Sequence, residues 1–161
     1  MKARHAASVA LALGIALAGT GCSMITYQAT TEPYDASDGV SADVGELDIR
    51  NALVVSEDGQ DGNLLMTVVN NGDDDVDLSV QYGSGSSRST EIVAIDGGAT
   101  VVFGTGDFEV EDVTEPTLLS GIDTPPGDLL EVYFQYGGEP GVDALVPVLD
   151  GGLPEYAPYV P

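Results

Sequence analysis

Val76-Asp77-Leu78-Ser79-Val80-Gln81-Tyr82 is the stretch on which the fold turns. Val76, Leu78, Val80 and Tyr82 fall on one side of an extended chain, and Asp77, Ser79 and Gln81 on the other, because successive strand side chains point to opposite faces. Strict alternation with one polar face predicts a half-buried β-strand.

The same grammar recurs on both sides of this strand. Upstream lie apolar runs from Leu47 to Val55 and from Leu64 to Val69, split by Glu57-Asp58-Gly59-Gln60-Asp61-Gly62. Asn70-Asn71-Gly72 reads as a hairpin-type turn into the alternating strand. Downstream, past a Gly83–Ser87 loop, come Glu91 to Ile95, a turn at Asp96-Gly97-Gly98, and Thr100 to Phe103. Phe108 to Val113 and Thr117 to Ile122 alternate less cleanly, and only one of them need be a strand. After a turn at Pro125-Pro126-Gly127-Asp128, Leu130, Val132, Phe134 and Tyr136 share a face over Leu129 to Tyr136. A last run spans Val142 to Leu149, and Pro147 assigns its end to an edge or a strand terminus. None of these segments carries a 3.6-residue apolar stripe, and 21 glycines disfavour long helices. About seven to nine short strands at this spacing predict an all-β domain, an antiparallel β-sandwich. The expected core is Ile49, Leu53, Val55, Met66, Val68, Val76, Leu78, Val80, Ile92, Val102, Val132, Phe134 and Val146. The tail from Leu153 to Pro161, with Tyr156 and Tyr159 among prolines, reads as a segment lying on the sandwich.

The N-terminus is of another kind. Lys2 and Arg4 precede an apolar run from Ala6 to Ala18 and the small residues Gly19, Thr20 and Gly21. That is the pattern of an export signal over residues 1–21. The apolar run is also too short for a membrane span, which takes about 20 residues. Cys22 follows at once and is the only cysteine in the chain, so no disulfide partner exists for it. Residues 22–45 are rich in Thr, Ser, Asp and Ala without apolar periodicity, and read as a flexible tether with a mean span of about 25–30 Å. The sandwich is expected over residues 46–161.

Charge narrows the function further. All 27 acidic residues lie beyond residue 21, against two basic ones, Arg50 and Arg88, giving that part a formal charge of −25. Nucleic-acid binding requires cations that displace counterions, so a nucleic-acid partner is excluded. An anionic leaflet attracts polybasic segments, whereas this globule is repelled by one and stays soluble beside it.

Around Cys22 the sequence resembles the cleavage box of bacterial lipoproteins, with Gly21 and Cys22 in its last two positions and Thr20 acceptable; Gly19 departs, since Leu is usual there. The resemblance implies an N-terminal diacylglycerol and acyl lipid on Cys22, palmitate among its chains. Ile49-Arg50-Asn51-Ala52-Leu53-Val54-Val55, Leu64 through Gly72, Pro125-Pro126-Gly127, Val146 through Asp150 and Leu153-Pro154-Glu155-Tyr156 together resemble actinobacterial lipoproteins of the LpqE type. Those proteins are in turn distantly similar to the PCu(A)C periplasmic copper chaperones. The resemblance implies a cupredoxin-like sandwich, immunoglobulin-like in architecture. It does not bring the copper site. Copper(I) selects soft thioether and imidazole ligands, but the single histidine, His5, lies in the signal. Beyond it only Met24, in the tether, and Met66, inside an apolar strand, carry thioethers.

Catalytic chemistry finds no support. Without a histidine past residue 5 there is no Ser-His-Asp machinery, and no G-x-S-x-G elbow occurs. Asp73, Asp75 and Asp77 sit in alternation like the start of a calcium loop, but Leu78 and Ser84 stand where its glycine and closing glutamate belong. They remain the candidates for weak divalent-metal binding within a solvated acidic turn. The expectation is a non-enzymatic, lipid-anchored cell-envelope protein on the outer face of the cytoplasmic membrane. It acts as a binding or assembly module, with a basic or cation-bridged envelope protein as partner. The alternative is a metal-handling protein that uses carboxylates on a copper-chaperone-like scaffold.

Overall fold

The computed structural model describes residues 2–19, 34–35, 37–83, 88–104 and 112–161. It divides into two compact units, residues 1–34 and 35–161. In the first, Lys2–Gly19 forms helix α1, built largely from Ala and Leu, which pay little entropy to become helical. Among the described residues no helix is long and apolar enough to cross a membrane.

The second unit is all-β. Its strands are β1 (Val40–Val44), β2 (Leu47–Val55), β3 (Asp61–Asn70), β4 (Val76–Tyr82), β5 (Ser89–Ile95), β6 (Thr100–Phe103), β7 (Asp112–Thr114), β8 (Thr117–Ser120), β9 (Leu129–Tyr136) and β10 (Val142–Leu149). One layer contains β2 and β3 with β1, β6, β7 and β8 attached. The other runs β5-β4-β9-β10 in antiparallel register. The layers are joined where the end of β10 leaves β9 and runs parallel to β2, Val148 opposite Val54 and Leu149 opposite Val55. Pro147, opposite Leu129, is the last residue paired with β9. Having no N–H to give to a ladder, it suits the point where β10 changes partners. Between the layers, Leu47, Ile49, Val54, Met66, Val68, Leu78, Val80, Val132, Phe134 and Val146 form one buried cluster. Tyr82 joins it and spans the gap: its hydroxyl donates to the Ser120 carbonyl (3.3 Å) and accepts from the Ser120 N–H (3.0 Å).

The sandwich is not purely antiparallel as expected, since β10–β2 and β6–β7 are parallel. Asn70-Asn71-Gly72 makes no hairpin either, because β3 pairs with β2, β6 and β8, and β4 with β5 and β9. The segment is a corner between layers. The buried Asn70 side chain holds it, donating to the carbonyls of Asp74 (2.9 Å) and Asp96 (3.1 Å) and accepting from Gly72 N–H (3.0 Å). The expected tether ended too late: Val40–Val44 is a strand on β2, with Ala42 and Val44 in the core. Of the stretch Phe108 to Val113, residues 108–111 lie outside the described residues and the rest opens β7.

Four expected core positions, Leu53, Val55, Ile92 and Val102, lie outside the central cluster. In β2 the pairing with β3 slips between Arg50 and Leu53, where Asn51 adopts φ 52°. This β-bulge shifts the alternation by one residue, so Ala52 and Val54 point inward. Leu53 and Val55 instead form a second cluster with Leu65 and Tyr159 on the outer face. Beneath Tyr159 the tail is seated by a 3-10 turn, Ala157–Tyr159, and by Asn63 donating to the Tyr159 carbonyl at 2.9 Å. Ile92 is 60% exposed, because it stands opposite outward-facing Ser79 while Val93 opposes inward-facing Leu78. Phe103, not Val102, belongs to the central cluster.

Candidate functional site

Cys22, the expected lipidation site, and Met24 lie outside the described residues. Polar chemistry in the described part includes the acidic corner and a cleft at one end of the sandwich.

The corner follows from the layer crossing. Asp75 accepts from Gly97 N–H at 2.9 Å, which ties the β3–β4 connection to the β5–β6 turn. A Cβ on Gly97 would fall 2.2 Å from the Asp73 carbonyl oxygen, so glycine there is a steric requirement. Asp77 stands on the exposed face of β4 opposite Ala94. Asp73, Asp75 and Asp77 are thus spread over turn, lock and strand. Among the described residues no three His, Cys, Asp or Glu side chains are grouped to hold a metal ion. Met66 is buried in the core opposite Phe103, where its flexible thioether fills space.

The cleft, about 270 Å³, is lined by Gly83, Gly121, Ile122, Asp123, Thr124, Leu130 and Glu131. Asp123 takes φ 48°, a conformation that Asp tolerates better than most residues. Among the described residues of this lining, Thr124 carries the one hydroxyl, and it donates to the Ile122 carbonyl at 3.0 Å. Asp123 and Glu131 are the acidic residues of the described lining.

The cations are as informative as the acids. Arg50 on β2 bonds Asp43 on β1 (2.5 Å) and Asp48 (3.2 Å), and also donates to the carbonyl of Ile49 (2.9 Å). Its hydrogen bond to Asp43 holds the guanidinium pKa above its ordinary value against a smaller opposing effect of burial. Arg50 is therefore spent on fixing β1. Arg88, just ahead of β5, is exposed and makes no ion pair with the described residues. The tail adds a polar clasp, Tyr156 donating to Asp38 at 2.6 Å. Burial first, then Asp38 and Glu155, push the Tyr156 phenol up to about 12.

No family model matches the chain, and no curated protein matches it. Among solved structures, the chain is similar to the copper-bound PCuAC domain from PmoF2. The TM-score is 0.46 at 19% identity, covering 68% of this chain and 98% of that one. At that distance the likeness transfers no chemistry, and the copper is a property of that domain.

The sequence did not signal the bulge at Asn51 or the layer-spanning hydroxyl of Tyr82. Asn51 looks like an ordinary polar residue in an apolar run, and Tyr82 like the last member of an apolar face. Only the partners across the sandwich distinguish them.

Proposed function

We propose that this chain is a lipid-anchored, non-enzymatic protein of the cell envelope, of the LpqE lipoprotein type, working as a binding or assembly module. Cys22 carries the reading: the chain's only thiol lies between the end of α1 at Gly19 and the folded unit that opens at Asp35. Signal cleavage before Cys22 leaves it as the N-terminal residue, where acylation gives the anchor and the following residues give reach. Two acyl signals hold a protein on a bilayer where a single chain binds only marginally. The sandwich then presents an acidic surface outside the cytoplasmic membrane, its one unpaired described cation being Arg88. Such a surface suits a basic partner or one bridged by cations.

The test is fractionation with mass spectrometry of the N-terminus. Wild type is expected in the membrane pellet with acyl mass on Cys22, and Cys22→Ala in the medium. A bare thiol on the native N-terminus overturns the proposal. Calorimetry with copper, zinc and calcium at physiological salt checks the metal-handling alternative, which gains no support from the scattered Asp73, Asp75 and Asp77. Micromolar or tighter binding would restore it.

A further inference from the structure

We infer that the free edge of β5 is a self-association surface on which a second copy of this chain adds its own β5, antiparallel across a two-fold axis. The inference stands on the folded unit alone and does not depend on anchoring.

The strand β5 ends the layer β5-β4-β9-β10, and among the described residues nothing pairs with its other side. Edge strands present unpaired N–H and C=O groups, and soluble proteins protect them with Lys, Pro, bulges or short length. Here the seven residues Ser89–Ile95 pair with β4 without a register shift and contain no Pro and no Lys. Their single charge is Glu91. The outward face of this edge carries Ile92, 60% exposed, between the exposed Thr90 and Ala94.

Symmetry then fixes the register. Residues directly opposite in an antiparallel ladder share a face, so an isologous pairing that extends the layer must centre on a residue. Full overlap of β5 with its copy centres on Ile92, the middle residue. Ser89 then faces Ile95, Thr90 faces Ala94, and Ile92 meets Ile92. Glu91 faces Val93 rather than another carboxylate; centring on Glu91 instead would oppose like charges, which is destabilising. One step beyond the strand, Arg88 of each copy stands opposite Asp96 of the other. The cation that makes no ion pair among the described residues thus meets an exposed acid, and it does so twice.

The folded part is strongly anionic, so copies repel at a distance. That repulsion is screened beyond about 8 Å at physiological salt, whereas the two Arg88–Asp96 pairs lie within contact range. A seven-residue ladder with one apolar contact buries less than the roughly 1,000 Å² of a permanent interface. The association is therefore weak and concentration-dependent.

Cysteine crosslinking of the full chain in detergent tests the register, in a Cys22→Ser background that leaves the introduced thiol alone. Ile92→Cys is expected to give a disulfide or short bis-maleimide dimer, since directly opposed Cβ atoms lie about 5 Å apart. Thr90→Cys alone is expected to give none, its two copies being about 13 Å apart along the ladder. Mixed Thr90→Cys and Ala94→Cys chains are expected to crosslink. Adding Arg88→Asp to Ile92→Cys should lower the yield about tenfold, as two exposed pairs turn repulsive. Adding Asp96→Arg to the same chain should restore it, and circular dichroism checks that each variant folds. Equal yields from Thr90→Cys and Ile92→Cys, failure of the charge swap to restore pairing, or no Ile92→Cys dimer at about 1 mM, where an association worth about 4 kcal/mol is half-formed, each overturn the inference. An edge that accepts only a foreign basic segment would appear as that last result.

Discussion

Replacing Asn51 with alanine tests whether the bulge sets the alternation of β2. Asn51 holds φ 52° and its side-chain oxygen accepts the N–H of buried Gly39 at 2.9 Å. Gly39 itself is pressed on the bulge, since a Cβ there would fall 2.5 Å from the Asn51 carbonyl carbon. Alanine loses the left-handed tolerance of asparagine, costing about 1 kcal/mol. It also leaves a buried donor without its acceptor, costing about 1–2 kcal/mol. The sum, about 2–3 kcal/mol, should lower the urea midpoint by about 1 M for a slope near 2 kcal/mol/M. Asn51→Gly removes only the hydrogen bond and should lose about half as much. Asn51→Asp keeps the acceptor oxygen and should stay nearest to wild type. The assay is equilibrium urea unfolding of the full chain, with hydrogen exchange at Gly39 as a local readout. Alanine as stable as wild type, or glycine as damaging as alanine, would refute the reasoning.

Two further outcomes follow from the tail. Tyr159→Ala removes the aromatic cap over Leu53, Val55 and Leu65 and should cost about 3 kcal/mol. Faster amide exchange in β2 than in β9 would show that the tail, not the sandwich, has come loose. Tyr156 gives a pH signature through its clasp on Asp38. Its phenol is raised to about 12 in the fold, against an ordinary value of 10.0. Its stabilising effect is therefore complete below pH 10 and is lost as pH rises through about 12. Ultraviolet titration should show Tyr156 ionising late, and Asp38→Asn should move it toward the ordinary value; no change in that variant would remove Asp38 as a cause.

Much of the strand map was legible because polar and apolar residues alternate wherever one face meets water. The bounds expected for β2, β4, β6, β9 and β10 coincide with those observed. The reading failed where both faces are covered or where the ladder slips. Leu53 and Val55 are buried, but beneath the tail, since the bulge at Asn51 turns them away from the central cluster. Ile92 sits among Val93, Ala94 and Ile95, so apolar residues occupy both parities and composition does not choose the inner face. The acidic corner misled because Asn-Gly and Asp-Gly turns serve a hairpin and a layer crossing equally well. Asp75, read as a candidate ligand, proves to be a lock on Gly97.

An all-β unit, a solitary thiol after an apolar N-terminal run and an overwhelming excess of acid are all legible in the residue order. These are local or summed properties, needing no knowledge of which residues meet. Only the three-dimensional arrangement set the passage of β10 from one layer to the other, the tie that Tyr82 makes between them and, among the described residues, the place of β5 at an edge beside exposed Arg88 and Asp96. Each of those depends on pairings between segments far apart in the chain, and the alternation of side chains along one strand carries no record of its neighbour.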